Sequence, residues 1–91
     1  MQCWPYVVER HTMASIRGCV SNPEWQGFRL KLKGLPTEQK LTQLDSYMKN
    51  EYKRSHAAGE IARVCVDNYI NALLRGGQLI RTCQGAIVVQ R

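Results

Sequence analysis

Two stretches of the chain repeat their hydrophobic residues at the spacing of an α-helix. In the first stretch these residues recur every three or four positions and are Leu41, Leu44, Met48 and Tyr52. This spacing predicts a helix over about residues 37–53, with Pro36 suited to its opening turn. A second helix is predicted over about residues 58–75, because the pair Gly76 and Gly77 supplies the kind of residue that commonly ends a helix.

Hydrophobic residues cover most of the circumference of this second helix, so we expect it to be embedded between other parts of the fold. One narrow polar stripe remains, and it consists of Glu60, Arg63, Asp67, Asn71 and Arg75, with Asn68 beside it. Glu60, Arg63 and Asp67 are spaced so that the helix neutralises its own charges. The part of the stripe that is free of acids therefore begins at Asn68.

Strand-like patterns lie on both sides of the two helices. The stretch FRLKLKG alternates strictly, with Phe28, Leu30 and Leu32 on one face and Arg29, Lys31 and Lys33 on the other. Short β-branched runs at 6–10 and 15–20 suggest further strands. Near the end, LIRTC and AIVVQ flank Gln84 and Gly85, which predicts a hairpin.

These elements predict an α+β fold formed by one small domain of residues 1–91. An antiparallel sheet, built from the N-terminal strands and the C-terminal hairpin, packs on the helices at about 37–53 and 58–75. A chain of 91 residues is too short to divide into two stable cores.

The charge balance favours an anionic partner. Thirteen Lys and Arg residues against seven Asp and Glu residues give a net charge of +6, which attracts polyanions such as nucleic acids. No apolar run has the length of a membrane span, and MQCWPYVVERHT lacks the features of a signal peptide. We therefore expect a cytoplasmic protein with no membrane partner.

The sequence offers little support for catalysis or for a cofactor. Neither His11 nor His56 lies in a recognised catalytic or metal-binding motif, and we expect no enzyme activity, no cofactor and no metal site. The cysteines have no C-x-x-C spacing, and they are Cys3, Cys19, Cys65 and Cys83. Two disulfides are conceivable, but a reducing compartment favours buried thiols.

Three groups of residues are candidates for binding. The C-terminal end of the polar stripe offers Asn68, Asn71 and Arg75, whose side chains suit base edges, and Arg81 follows in the hairpin. No carboxylate occurs after Asp67. The cationic face of the predicted strand, formed by Arg29, Lys31 and Lys33, suits phosphates, although lysines also protect edge strands from aggregation. The aromatic residues Trp4, Tyr6, Trp25 and Phe28 suit base stacking, but core packing is the more common role.

The C-terminal part of the chain resembles the winged-helix family of DNA-binding proteins. The similarity comprises the helix in NYINALLRGGQLI, the step Gly77-Gln78-Leu79-Ile80 and the hairpin LIRTCQGAIVVQ, and EIARV is similar to the second helix of a helix-turn-helix. The resemblance implies that Asn68, Asn71 and Arg75 face DNA, with Arg81 on the wing. Residues 60–76 are too few for a second helix, a turn and a full recognition helix, so residues 58–75 form either a truncated motif or one continuous helix.

LDSYMKNEYKR and VDNYINALLR are also similar to the helical DNA-holding domain of tyrosine recombinases, which likewise implies DNA contact without catalysis. The leading hypothesis is thus a small non-catalytic protein that binds DNA, as a regulator or as an accessory of replication or recombination. Duplex DNA is the favoured nucleic acid. A second hypothesis is an interaction or inhibitor module for an acidic protein, with room for a homodimer interface. A third is single-strand binding through Trp25 and Phe28.

Overall fold

The computed structural model describes residues 3–4, 7–81 and 87–89, with the backbone alone for Cys3 and Trp4. Its elements in chain order are β1 (Cys3–Trp4), α1 (Met13–Val20), α2 (Pro23–Lys31), α3 (Thr37–Arg54), α4 (His56–Arg75), β2 (Leu79–Arg81) and β3 (Ile87–Val89). Helices combined with an antiparallel sheet confirm the predicted α+β class.

The two long helices agree closely with the predicted ranges. Ser55 separates α3 from α4 and caps α4, because its hydroxyl accepts a hydrogen bond from the Ala58 N–H at 3.0 Å. From there α4 runs without a break to Arg75. Residues 58–75 are therefore one continuous helix, and the EIARV segment lies inside it with no turn on its C-terminal side.

The predicted strands at 15–20 and 28–33 are wrong, since most of these residues are helical. Asn22 accepts a hydrogen bond from the Trp25 N–H at 3.1 Å, and the helix α2 begins at Pro23, whose fixed φ suits that position. Trp25, Phe28 and Leu32 then share one face at helical spacing, whereas the side chain of Leu30 is 63% exposed. The alternation in FRLKLKG therefore coincides with helical spacing at Phe28 and Leu32 but not at Leu30.

The predicted strand at 6–10 is also wrong over its described residues. Residues 7–12 are irregular, and Tyr6 lies outside the described residues. Val8 is buried. At the end of the segment, the Thr12 hydroxyl caps α1 by accepting a hydrogen bond from the Ser15 N–H at 3.2 Å. This irregular segment lies along α4, where it forms one wall of the site described below.

The sheet has the strand order β1–β3–β2, and both pairings are antiparallel. Leu79 pairs with Val89 and Arg81 pairs with Ile87, which confirms the two predicted hairpin strands. The proposed turn at Gln84 and Gly85 lies outside the described residues. Gly77 has φ of +78°, a left-handed conformation that suits glycine, and it turns the chain from α4 into β2.

An aromatic cluster fills the space between α2, α3 and α4. Trp25 is only 4% exposed and lies with its ring centroid 5.8 Å from Phe28, 5.6 Å from Tyr47 and 6.3 Å from Tyr69. Phe28 also stacks on Tyr47 at 4.3 Å. Trp25 is thus a core residue and is too buried to act as a stacking platform for bases.

A disulfide between Cys19 and Cys65 joins α1 to α4, and it corrects the prediction of buried thiols for these two residues. Their Cα atoms are 5.6 Å apart, a separation that a disulfide bridges without backbone movement. The side chains of Cys3 and Cys83 lie outside the described residues.

Replacing Glu51 by glutamine is expected to stabilise the protein near neutral pH. Burial raises the pKa of Glu51, and its hydrogen bond with Glu24 adds to the rise, while Arg54 opposes it. Because this pKa is higher in the folded state, the charged carboxylate costs stability once the pH rises through it. The advantage of the variant, measured by urea denaturation, should therefore shrink as the pH falls through the pKa of Glu51. Glu60→Gln removes the same charge from an exposed site and serves as the control.

An equal response of the Glu51→Gln and Glu60→Gln variants at each pH would contradict this prediction, since it would trace the effect to net charge alone.

Candidate nucleic-acid interface

A cleft of about 690 Å³ lies between the irregular segment 7–12, α4 and β2. We call it the cationic cleft, and the residues that line it are Val8, Arg10, His11, Ile16, Asn68, Asn71, Leu74, Arg75 and Arg81. Its described lining includes three arginines and no carboxylate. Low-dielectric walls with charge of one sign focus the field and favour an anion there.

Four of the residues proposed from the sequence meet at this cleft. Asn68, Asn71 and Arg75 are three and four residues apart, so the helix α4 presents them on one side. The turn through Gly77 then brings Arg81, on β2, to the same cleft. Arg75 and Arg81 are both exposed, and their guanidinium groups are the fork-shaped donors that suit phosphates and base edges.

Hydrogen bonds hold the segment 7–12 against this surface. The Asn71 side-chain amide donates to the backbone carbonyl of Glu9 at 3.1 Å, and Arg81 donates to the carbonyl of Val8 at 3.5 Å. Asn71 therefore has one N–H and its carbonyl oxygen left for a ligand. Its role is divided between building the wall of the cleft and binding.

A hydrogen bond to a buried carboxylate fixes the end of the same segment. His11 Nε2 lies 2.8 Å from Asp67 Oδ2, and the Asp67 side chain is fully buried. The Arg63 guanidinium lies 3.8 Å from the same Asp67 carboxylate, and it also lies 3.6 Å from the carboxylate of Glu9. The sequence placed Asp67 on a polar stripe, but the segment 7–12 covers it, so its negative charge is shielded from the cleft by His11 and Arg63.

One set of described residues offers ligand atoms for a cation. Glu9, His11 and Asp67 each present one such atom, and these atoms lie within 4.8 Å of one another. The Arg63 guanidinium is within 4 Å of both carboxylates and supplies the positive charge that a metal ion would bring. The cluster is therefore accounted for as an ion-pair network that positions the wall of the cleft.

The predicted cationic strand face does not form, because Arg29 and Lys31 lie on α2 and Lys33 follows it in a turn. Helical geometry points residues two positions apart in widely different directions, so these side chains cannot track phosphates as a row. Arg29 lines a smaller cleft together with Asn68, another predicted site residue.

Arg10 and His11 belong to the cleft but were absent from the residues proposed on sequence grounds. They lie on an irregular segment, where no periodicity indicates which way a side chain points. One feature of the sequence could have indicated their position, namely Asp67, a carboxylate in the middle of a largely apolar helix. Burying such a charge requires a partner, and His11 provides it.

Comparison of the chain with protein-family models, with curated proteins and with solved structures gave no match. Among the described residues, no helix combines the length and the hydropathy needed to span a bilayer.

Proposed function

We propose that this protein is a small non-catalytic module that binds duplex DNA, as a regulator or as an accessory of replication or recombination. The observation that carries the proposal is the cationic cleft, where Arg10, Arg75 and Arg81 surround a groove without a carboxylate in its described lining. Three guanidinium groups at one groove suit a phosphate backbone, and binding there releases counterions.

The order of elements supports a relation to winged-helix proteins. In this proposal α4 is the recognition helix, and the antiparallel strands β2 and β3 form the wing that follows it. Asn68 and Arg75 would contact base edges, while Arg81 and Arg10 would contact phosphates. The continuous α4 departs from the helix-turn-helix arrangement, so the proposal depends on the cleft and not on that motif.

The disulfide bears on where the protein acts. Disulfides are rare in the reducing cytosol, so the Cys19–Cys65 bond is an observation against the predicted cytoplasmic location. A cytoplasmic location would require this buried bond to persist against cellular reductants.

Arg75→Ala is expected to weaken binding to a duplex about tenfold, or about 1.4 kcal/mol, and to lower the slope of log affinity against log salt by about 1. Arg17→Ala is the matched control, because it removes the same charge from an exposed position on α1 outside the cleft. Fluorescence anisotropy at two salt concentrations, with duplex, single-stranded and RNA probes, measures both quantities.

Equal losses for Arg75→Ala and Arg17→Ala would show that binding follows net charge and would exclude the cationic cleft as the interface. An absence of salt-dependent binding to duplex DNA at low ionic strength would end the DNA-binding proposal.

A protein-interaction role is the second candidate, and exposed apolar side chains favour it. Met13, Val20, Leu30 and Ile61 are all more than half exposed. Ile61 also lines a groove between α1 and α4 with Ala14, Gly18 and Val64. An apolar groove of this kind is a candidate protein interface, including that of a homodimer. A dimer in light scattering that Ile61→Ser dissociates would favour this function, and an unchanged monomer would count against a homodimer. An acidic protein partner would bind the same cationic cleft as DNA.

A further inference from the structure

A second, smaller cleft adjoins the cationic cleft on the other side of Asn68. Its volume is about 270 Å³, and we call it the side cleft. The polar residues that line it are Arg29, Asn68, Tyr69 and Gln78, and its apolar lining comes from Trp25, Ala72 and Leu73. Asn68 lines both clefts, so the two clefts meet at this residue.

We propose that the side cleft receives the base of an unpaired nucleotide whose phosphates lie in the cationic cleft. This inference rests on the proposed function, since it names the form of DNA that the same surface binds best. The preferred partner is then a duplex that contains an unpaired nucleotide, and not a regular duplex.

The lining of the side cleft matches the chemistry of a nucleobase. A base has apolar faces and an edge of hydrogen-bond donors and acceptors. Ala72 is exposed and offers apolar contact, while the side-chain amides of Asn68 and Gln78 each carry both a donor and an acceptor. Trp25 and Leu73 contribute little contact area, because they are only 4% and 6% exposed.

The two amides are available for such contacts. Within the described part of the chain, neither the Asn68 nor the Gln78 side chain makes a hydrogen bond, in contrast to Asn71, which is engaged with Glu9. Polar side chains that converge on a concave, partly apolar surface are what fixes the orientation of a ligand.

Charge also favours a nucleotide over a neutral or cationic ligand. Arg29 is the one charged residue in the described lining of the side cleft, and the hydrogen bond that it donates to Gln26 is long, at 3.4 Å. Its guanidinium group is suited to the O6 and N7 atoms of guanine or to a flanking phosphate.

A regular duplex cannot fill this cleft, because its bases are stacked and paired. Extruding a base costs a few kcal/mol, and the cost is least when the base has no partner. We therefore expect a duplex with one unpaired nucleotide to bind about tenfold more tightly than the same duplex without it.

Fluorescence anisotropy with three probes tests the proposal: a blunt duplex, the same duplex with one unpaired nucleotide, and a third in which that nucleotide is abasic. The expected order is tight binding of the second probe and equal, weaker binding of the other two. Gln78→Ala and Arg29→Ala should remove the preference. Lys31→Ala should retain it, because Lys31 is an exposed cation on the same helix that does not line the cleft.

Equal affinity for the probes with the unpaired and the abasic nucleotide would overturn the inference, since the gain would then come from a more easily bent duplex. No gain over the blunt duplex would also overturn it, and both results leave DNA binding by the cationic cleft intact. Failure to bind any of the three probes would instead refute the proposed function. A preference that survives in both Gln78→Ala and Arg29→Ala would place the base elsewhere.

Discussion

Breaking the Cys19–Cys65 disulfide is expected to lower the free energy of unfolding by about 4 kcal/mol. The two cysteines are 46 residues apart, and a crosslink over a loop of this length removes much of the conformational freedom of the unfolded chain. Both residues are buried, at 3% and 1% exposure, so the bond also fixes α1 against the central helix α4. A loss of this size is a large part of the total stability of a small domain.

Urea denaturation with and without a thiol reductant measures this effect. A Cys3→Ala/Cys83→Ala variant leaves Cys19 and Cys65 as its only cysteines, so the reductant acts on that pair alone. Alkylation of the denatured chain should label neither cysteine before reduction and both after it. Full labelling without reduction, or identical denaturation midpoints in the two conditions, would contradict the disulfide and its contribution.

Gly59→Ala is expected to destabilise the protein by about 1–3 kcal/mol, although alanine is the better helix former. Gly59 is buried in the first turn of α4, where the ring of Tyr52, near the end of α3, lies directly over its Cα. A Cβ atom at this position would overlap the ring, so α3 and α4 would have to move apart or Tyr52 would have to leave its place.

Gly27→Ala provides the matched control, since Gly27 lies within α2 with open space where its Cβ would be. There the substitution should stabilise the protein by about 0.5–1 kcal/mol, because the unfolded chain loses freedom and nothing clashes. Thermal or urea denaturation should therefore show shifts of opposite sign. Tyr52→Ala, combined with Gly59→Ala, should make the glycine substitution less costly. If Gly59→Ala stabilised the protein as Gly27→Ala should, the helices would not approach closely at Gly59.

Local signals in the sequence were sufficient to predict α3, α4 and the strands of the hairpin. Apolar residues at three- and four-residue spacing and the glycines after Arg75 act within a few residues of each other, and the two long helices follow them. The region before residue 34 was predicted less well. Its helices α1 and α2 are short, and the choice between helix and strand depends on capping by Thr12 and Asn22 and on which residues find a core.

The residues of the cationic cleft also fall into those that the sequence could predict and those that it could not. Asn68, Asn71 and Arg75 could be proposed together because one helix sets their spacing, and Arg81 followed from its place in the hairpin. Arg10 and His11 were missed because they lie on an irregular segment, which reaches the cleft through contacts with residues 56 to 73 positions away.

The sequence by itself determined the cationic character of the chain, its α+β class, the two long helices and the acid-free end of α4. These properties depend on composition and on neighbours along the chain. Only the tertiary structure decided that Cys19 meets Cys65, that His11 contacts Asp67, and that Arg29 shares a cleft with Asn68 and does not form a row with Lys31 and Lys33. Each of these arrangements brings together residues that are distant in sequence, and it depends on long-range packing, which no local pattern encodes.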